Sequence, residues 1–159
     1  MKQDENTAGC DPDILNAGIL IVDDQDSNIV LLEWMLRGAG YTSVTSTTDP
    51  TKVSELCRQN HYDLILLDLL MPVMDGFEVM KGLKGIDPDG NLPVLVISAQ
   101  PTQKQRALQA GAKDFVSKPF ELVDVAKRVY GLLEIRLLYL RTKALYDRVA
   151  AERNVSLPL

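Results

Sequence analysis

Apolar residues in this chain occur in two patterns, and the patterns alternate from one end to the other. In the first, four to six apolar residues run unbroken and stop at a polar one: Gly18–Val22 before Asp23-Asp24, Leu64–Leu67 before Asp68, and Leu92–Ile97 before Ser98. Such short, β-branched, non-alternating runs predict strands buried on both faces. Tyr41–Ser46 alternates as a strand near a sheet edge would, and Asp114–Ser117 is a short strand ending at Lys118-Pro119. In the second pattern apolar residues recur every three or four positions, which predicts amphipathic helices. Asp26 can cap the first of these, with Ile29, Leu32, Met35 and Leu36 on one face and Gly38–Gly40 as its stop. Asp49-Pro50 reads as the cap and first residue of a helix reaching about Asn60. Asp75 or its neighbour opens a helix through Phe77, Met80 and Leu83 after a Met71–Gly76 loop. Pro101 begins a helix closed by Gly111, and a last helix begins near Glu121.

Five strands alternating with five helices imply a parallel sheet covered on both faces. With right-handed crossovers it is a doubly wound α/β domain. A length of 159 residues suits one such domain. The leader Met1–Ala17 carries Gly, Pro, Asn and Asp without a sustained period, so residues 1–17 are expected to be a loosely ordered, flexible leader. The domain is expected over 18–130 and a helical extension over 131–159.

The formal charge of −5 is unevenly distributed. Residues 1–130 hold 19 acidic and 12 basic side chains, whereas residues 131–159 hold 3 and 5. So acidic a body repels phosphate backbones, which argues against direct nucleic-acid binding. No apolar run approaches the ~18–20 residues of a membrane span, the leader is not a signal peptide, and a cytoplasmic location is expected. Cys10 and Cys57 form no CxxC pair and no Cys/His zinc cluster, so they read as free thiols in a reducing compartment. His61, the only histidine, falls in the turn before the third strand and reads as a helix-end residue.

The polar residues that finish the strands are Asp23, Asp24, Asp68, Ser98 and Lys118. In an open parallel sheet, ligands bind outside the carboxyl ends of the strands, so these five converge. Three clustered carboxylates repel one another unless a cation joins them, and an all-oxygen set selects magnesium, manganese or calcium. A lone ammonium and a lone hydroxyl beside a metal and a free carboxylate suit phosphoryl transfer, with Asp68 as nucleophile. Each residue alone has a duller explanation as a cap, a turn or solvated surface. Five strand ends placing such groups together by accident is the harder reading. No GxxxxGK[ST] or GxGxxG follows a strand, so nucleotide binding through those loops is not supported.

Ile21-Val22-Asp23-Asp24, Leu66-Leu67-Asp68-Leu69-Leu70-Met71-Pro72-Val73-Met74-Asp75-Gly76, Val96-Ile97-Ser98-Ala99 and Val116-Ser117-Lys118-Pro119-Phe120 resemble the receiver domain of bacterial two-component response regulators. The resemblance implies a flavodoxin-like five-stranded sheet of order 2-1-3-4-5. It also implies that Asp68 is phosphorylated by a histidine kinase or phosphotransfer protein. By position it makes Asp23, Asp24, Asp68 and the Leu70 carbonyl the Mg2+ ligands. Asp68, Ser98 and Lys118 become the catalytic set, Ser98 and Phe115 the switch pair, and Lys118-Pro119 a cis bond. Ser98 and Phe115 are expected to move inward on phosphorylation, changing the face made by the fourth helix, fifth strand and fifth helix. Haloacid-dehalogenase-type phosphatases need a second Asp two residues after the nucleophile, where Leu70 stands. Leu70 and Gln100 occupy places that influence the hydrolytic water, and Leu70 cannot orient one by hydrogen bonding, so a phosphorylated state lasting minutes or longer is expected.

The last helix continues past Gly131 through Leu132–Glu152. Leu133, Leu137, Leu140 and Ala144 repeat at four-three-four spacing, with Leu138, Leu145 and Val149 on an adjoining stripe. Two apolar stripes point to a homodimer contact through this helix or a connector to a partner. The extension resembles the linker to an HD-GYP-type or other output domain. Two readings therefore stand: a signalling switch that is not itself an enzyme, or the receiver portion of a larger regulator whose output enzyme, such as a cyclic-dinucleotide phosphodiesterase, is missing here. A degenerate receiver used only as a dimerisation scaffold is disfavoured by the complete acidic, hydroxyl and ammonium set.

Overall fold

Five parallel strands form one sheet: β1 (Gly18–Val22), β2 (Ser43–Thr47), β3 (Leu64–Asp68), β4 (Val94–Ser98) and β5 (Asp114–Ser117), in the order β2-β1-β3-β4-β5. The computed structural model describes residues 11–155, with side chains to 154. Helices α1 (Pro12–Leu15), α2 (Asp26–Gly38) and α6 (Leu122–Val155) accompany α3 (Val53–Gln59), α4 (Gly76–Ile86) and α5 (Lys104–Gln109). The three apolar runs are the central strands β1, β3 and β4, and every residue in them is buried. Because side chains alternate across a sheet, each run feeds two cores. Ile19, Ile21, Leu64, Leu66, Leu95 and Ile97 pack with α1, α2 and α6. Leu20, Val22, Ile65, Leu67, Val94 and Val96 pack with α3, α4 and α5. Single-turn 3₁₀ segments at Pro50–Lys52 and Pro101–Gln103 precede α3 and α5, where prolines start a helix without needing an N–H partner.

Several local expectations give way to tertiary context. Asp26 does not cap α2: Gln25 is the capping residue, and the backbone N–H of Gln25 instead donates to the Asp23 carboxylate at 2.9 Å. The strand expected from Tyr41 begins at Ser43, and the one expected from Leu92 begins at Val94. The leader is ordered from Asp11, whose side chain caps α1. Ile14 and Ala17 are buried in the core, and Thr42 N–H donates to Leu15 carbonyl. Residues 1–10, including Cys10, lie outside the described residues.

Helix α6 is a single element of 34 residues. Half of the stripe Leu133, Leu137, Leu140 and Ala144 is spent on the domain: Leu133 is fully buried and Leu137 packs against the same core. Three polar ties fix its path under the N-terminal edge of the sheet. Arg136 reaches the buried Asp63 at 3.4 Å, Asn91 donates to the Tyr139 hydroxyl at 2.7 Å, and Arg141 pairs with Asp11 and Asp13 at 3.0 and 2.7 Å.

Candidate functional site

The sheet register gathers the strand-end residues. Val22 pairs with Leu67, so Asp23 follows alongside Asp68. Asp68 pairs with Ile97 and Ser98 with Ser117, which places Ser98 and Lys118 one step further along their strands. Backbone hydrogen bonds carry the alignment past the strands: Asp23 N–H donates to Thr47 carbonyl, and Lys118 N–H to Ser98 carbonyl at 2.8 Å. The Lys118-Pro119 peptide is cis.

The result is a cluster of three carboxylates, Asp23, Asp24 and Asp68, with one oxygen of each within 4.8 Å of the others. Lys118 Nζ stands at the side of this cluster, 3.4 Å from Asp23 Oδ2 and 3.6 Å from Asp68 Oδ2. Burial pushes the Asp68 carboxyl above its ordinary range, and the negative charges of Asp23 and Asp24 add to the effect, while Lys118 and the Leu70 N–H oppose it. Asp24 Oδ1 is buried without a hydrogen-bond partner. An unsatisfied carboxylate oxygen in a cluster of three is a large electrostatic cost unless a cation completes it. Hard carboxylate donors without imidazole or thiolate are the ligands of Mg2+, and the acidic pocket fits that ion.

Local geometry holds the pocket open. Asp68 Oδ1 accepts from the N–H of Leu70 at 3.3 Å, turning the chain sharply after β3. At Gly76 a Cβ would lie 2.8 Å from the Asp68 carbonyl oxygen and 2.7 Å from Leu69, so only glycine lets α4 begin this close to the end of β3. Asp75 caps α4 by accepting from Glu78 N–H, as expected. Ser98 is fully buried and its Oγ accepts from Gln100 N–H at 3.2 Å. The Leu70 side chain is exposed beside Asp68. Phe115 already lies buried against the α3–α5 core, and it also lines an open groove with Lys104, Phe120, Val123 and Lys127.

His61 and Cys57, read from the sequence as a helix-end residue and a free thiol, both lie outside the cluster. His61 is away from this end of the sheet, where its Nε2 bonds Asp63 Oδ1 at 2.8 Å. Cys57 sits half-buried on α3, where burial pushes its thiol up to about 11, a poor nucleophile at neutral pH. No helix among the described residues is long and apolar enough to cross a membrane.

Comparison with known proteins follows the same outline. Residues 19–130 match the model of the response regulator receiver domain. The response regulator PleD of Caulobacter vibrioides is 37% identical over 126 residues, covering 78% of this chain and 28% of PleD. The transcriptional regulatory protein PrrA of Mycobacterium tuberculosis is 36% identical over 128 residues, covering 79% of this chain and 54% of PrrA. The chain thus spans about half or less of the curated relatives it matches. Among solved structures, chemotaxis protein CheY4 of Vibrio cholerae superposes with a TM-score of 0.68 at 28% identity, covering 74% of this chain and 98% of that one. The receiver domain of sensor histidine kinase PA1611 from Pseudomonas aeruginosa, solved with magnesium coordinated in its active-site cleft, gives 0.68 at 29% identity, covering 75% and 98%.

Proposed function

Since the chain belongs to the response regulator receiver family, we propose that it is a phosphorylation-dependent signalling switch in which Asp68 takes a phosphoryl group from a histidine kinase or phosphotransfer protein. The observation that carries this reading is the buried carboxylate cluster with Lys118 Nζ 3.6 Å from Asp68 Oδ2. Asp23, Asp24, Asp68 and the Leu70 carbonyl would hold Mg2+, which would supply positive charge against the clustered carboxylates and the phosphoryl group. An Asp68 oxygen forms the new bond to phosphorus as the bond to the donor's nitrogen or oxygen breaks and that atom leaves with the electron pair. The Lys118 ammonium holds charge on a second phosphoryl oxygen. The Ser98 hydroxyl turns from Gln100 to donate a hydrogen bond to a third, and its movement biases Phe115 and the groove beside it toward a partner-binding state.

In this reading residues 18–130 are the switch and residues 131–159 its helical extension, which carries a homodimer contact. The chain is cytoplasmic and catalyses only its own phosphorylation and dephosphorylation. A second reading is favoured by the greater length of PleD and PrrA: the chain is the receiver portion of a longer regulator. The intact mass of the native protein separates the two.

The exposed Leu70 offers no hydrogen bond to a hydrolytic water. Treatment with acetyl phosphate and Mg2+ should therefore add one phosphoryl group that persists for minutes after the donor is removed, and EDTA should abolish the addition. Decay within seconds without a phosphatase would contradict the role given to Leu70, and addition in EDTA would contradict the metal requirement.

A further inference from the structure

Past the domain, α6 keeps an apolar face that none of the described residues covers. Its core-facing residues Val125, Val129 and Leu133 are fully buried. At about 100° per residue, Ile135, Leu138, Thr142, Leu145 and Val149 form a stripe on the opposite side of the helix. The exposures are 67% for Ile135, 64% for Leu138, 61% for Leu145 and 47% for Val149, with Tyr146 beside them at 73%. Every residue from Arg141 to Val149 is exposed. A helical segment of that length is marginal in water when nothing packs on it. The stripe is the natural place for something to pack.

The spacing of the stripe identifies the occupant. Its steps are three, four, three and four, the heptad seam of a coiled coil. Ile135, Thr142 and Val149 fall at one seam position and are all β-branched, while Leu138 and Leu145 fall at the other and are both leucine. That division favours two parallel strands over trimers or tetramers. Thr142 does not spoil the seam, because its hydroxyl already donates to the Leu138 carbonyl at 2.8 Å. From these exposures the stripe and Tyr146 present on the order of 600 Å² per chain, so two copies together reach about the lower limit of a specific, stable interface.

We propose that a second copy of this chain covers this face, giving a parallel, in-register two-stranded coiled coil over residues 135–149. The proposal rests on the reading that the extension carries a homodimer contact, and adds which face, orientation and register it uses. Because the seam lies opposite the core-facing stripe, this arrangement puts the two receiver domains on the outer sides of the helix pair. Arg136, Tyr139 and Arg141 tie the helix to the domain on flanks away from the seam, so its presentation is fixed. Glu152, at the next seam position, ends the apolar contact and pairs with Arg148 of its own helix at 3.7 Å.

Sedimentation of the full chain from about 1 µM to about 500 µM should show the average mass rising from monomer to dimer. Leu138→Asp combined with Leu145→Asp should hold it monomeric throughout, while phosphorylation by acetyl phosphate persists as evidence that the domain is folded. Orientation is read by cysteines placed in a Cys10→Ser, Cys57→Ser background. Val149→Cys chains should cross-link to one another under mild oxidation, and Ile135→Cys mixed with Val149→Cys should give like-with-like products. A wild-type monomer at the highest concentration, a dimer indifferent to the double substitution, or mixed cross-links in preference to like ones would each overturn the proposal. A chain that dimerises as described but takes no phosphoryl group keeps the seam and overturns the switch reading instead.

Discussion

Lys118→Ala should slow phosphoryl transfer to Asp68 by about 10²–10³-fold, the loss found when one preorganised charge-stabilising donor is removed from a reaction site. The ammonium is held 3.4 Å from Asp23 and 3.6 Å from Asp68, and the Lys118 side chain is only 21% exposed. Its position is set by the backbone, since Lys118 N–H is bonded to the carbonyl of Ser98 one strand away. Truncation leaves three carboxylates without their nearest cation and pushes the Asp68 carboxyl further upward, because Lys118 is the main influence now opposing burial there. Mg2+ should still bind, because the three carboxylates remain. The rate of mass gain at saturating acetyl phosphate and Mg2+ checks this, and a rate within about threefold of wild type would show that Lys118 does not face the transferring group.

Arg136→Ala should lower folding stability by about 3–5 kcal/mol, the cost of leaving a buried charge without its partner. Asp63 and Arg136 side chains are 6% and 10% exposed, so solvent screening gives little relief. The Asp63 carboxylate also accepts from Gly18 N–H at 3.1 Å and contacts His61. The guanidinium of Arg136 further donates to the carbonyls of Asn91 at 3.1 Å and Tyr62 at 3.5 Å. One side chain of α6 thereby ties the segments leading into β1, β3 and β4. For a chain of this size the loss corresponds to a melting temperature lower by roughly 10 °C. Thermal melts of Arg136→Ala, Asp63→Ala and the double variant check it, with the double falling well short of the sum of the singles. A loss below about 1 kcal/mol in both singles would mean that the pair acts as a surface contact.

The contrast between these two sites explains what the sequence could reveal. Asp23, Asp24, Asp68 and Ser98 end runs whose apolarity announces a strand, Lys118 ends the short strand Asp114–Ser117, and parallel strands place their ends together. Their convergence was therefore legible without coordinates. Asp63 and Arg136 carry no comparable signal. They lie 73 residues apart, and an Asp before a strand and an Arg on a helix are ordinary in isolation. The short helix at Pro12–Leu15 was hidden for a related reason. Pro12–Leu15 is too short to show a helical period, and Ile14 is ordered by burial under α6 rather than by local propensity. Along α6 both stripes were visible, but Leu133 and Leu137 outbid the other stripe for the core only because the helix meets the sheet at that rotation. Asp26 illustrates the smallest scale: α2 begins one residue earlier than its side chain suggests, with Gln25 at the cap position and the Gln25 N–H donating to the Asp23 carboxylate.

The central claim is that Asp68 is the phosphoacceptor. Intact mass after incubation with acetyl phosphate and Mg2+, for wild type and Asp68→Asn, tests it most directly. The account predicts one added phosphoryl group on wild type and none on Asp68→Asn. Equal addition to both, or none to wild type with the domain folded and Mg2+ bound, would contradict it.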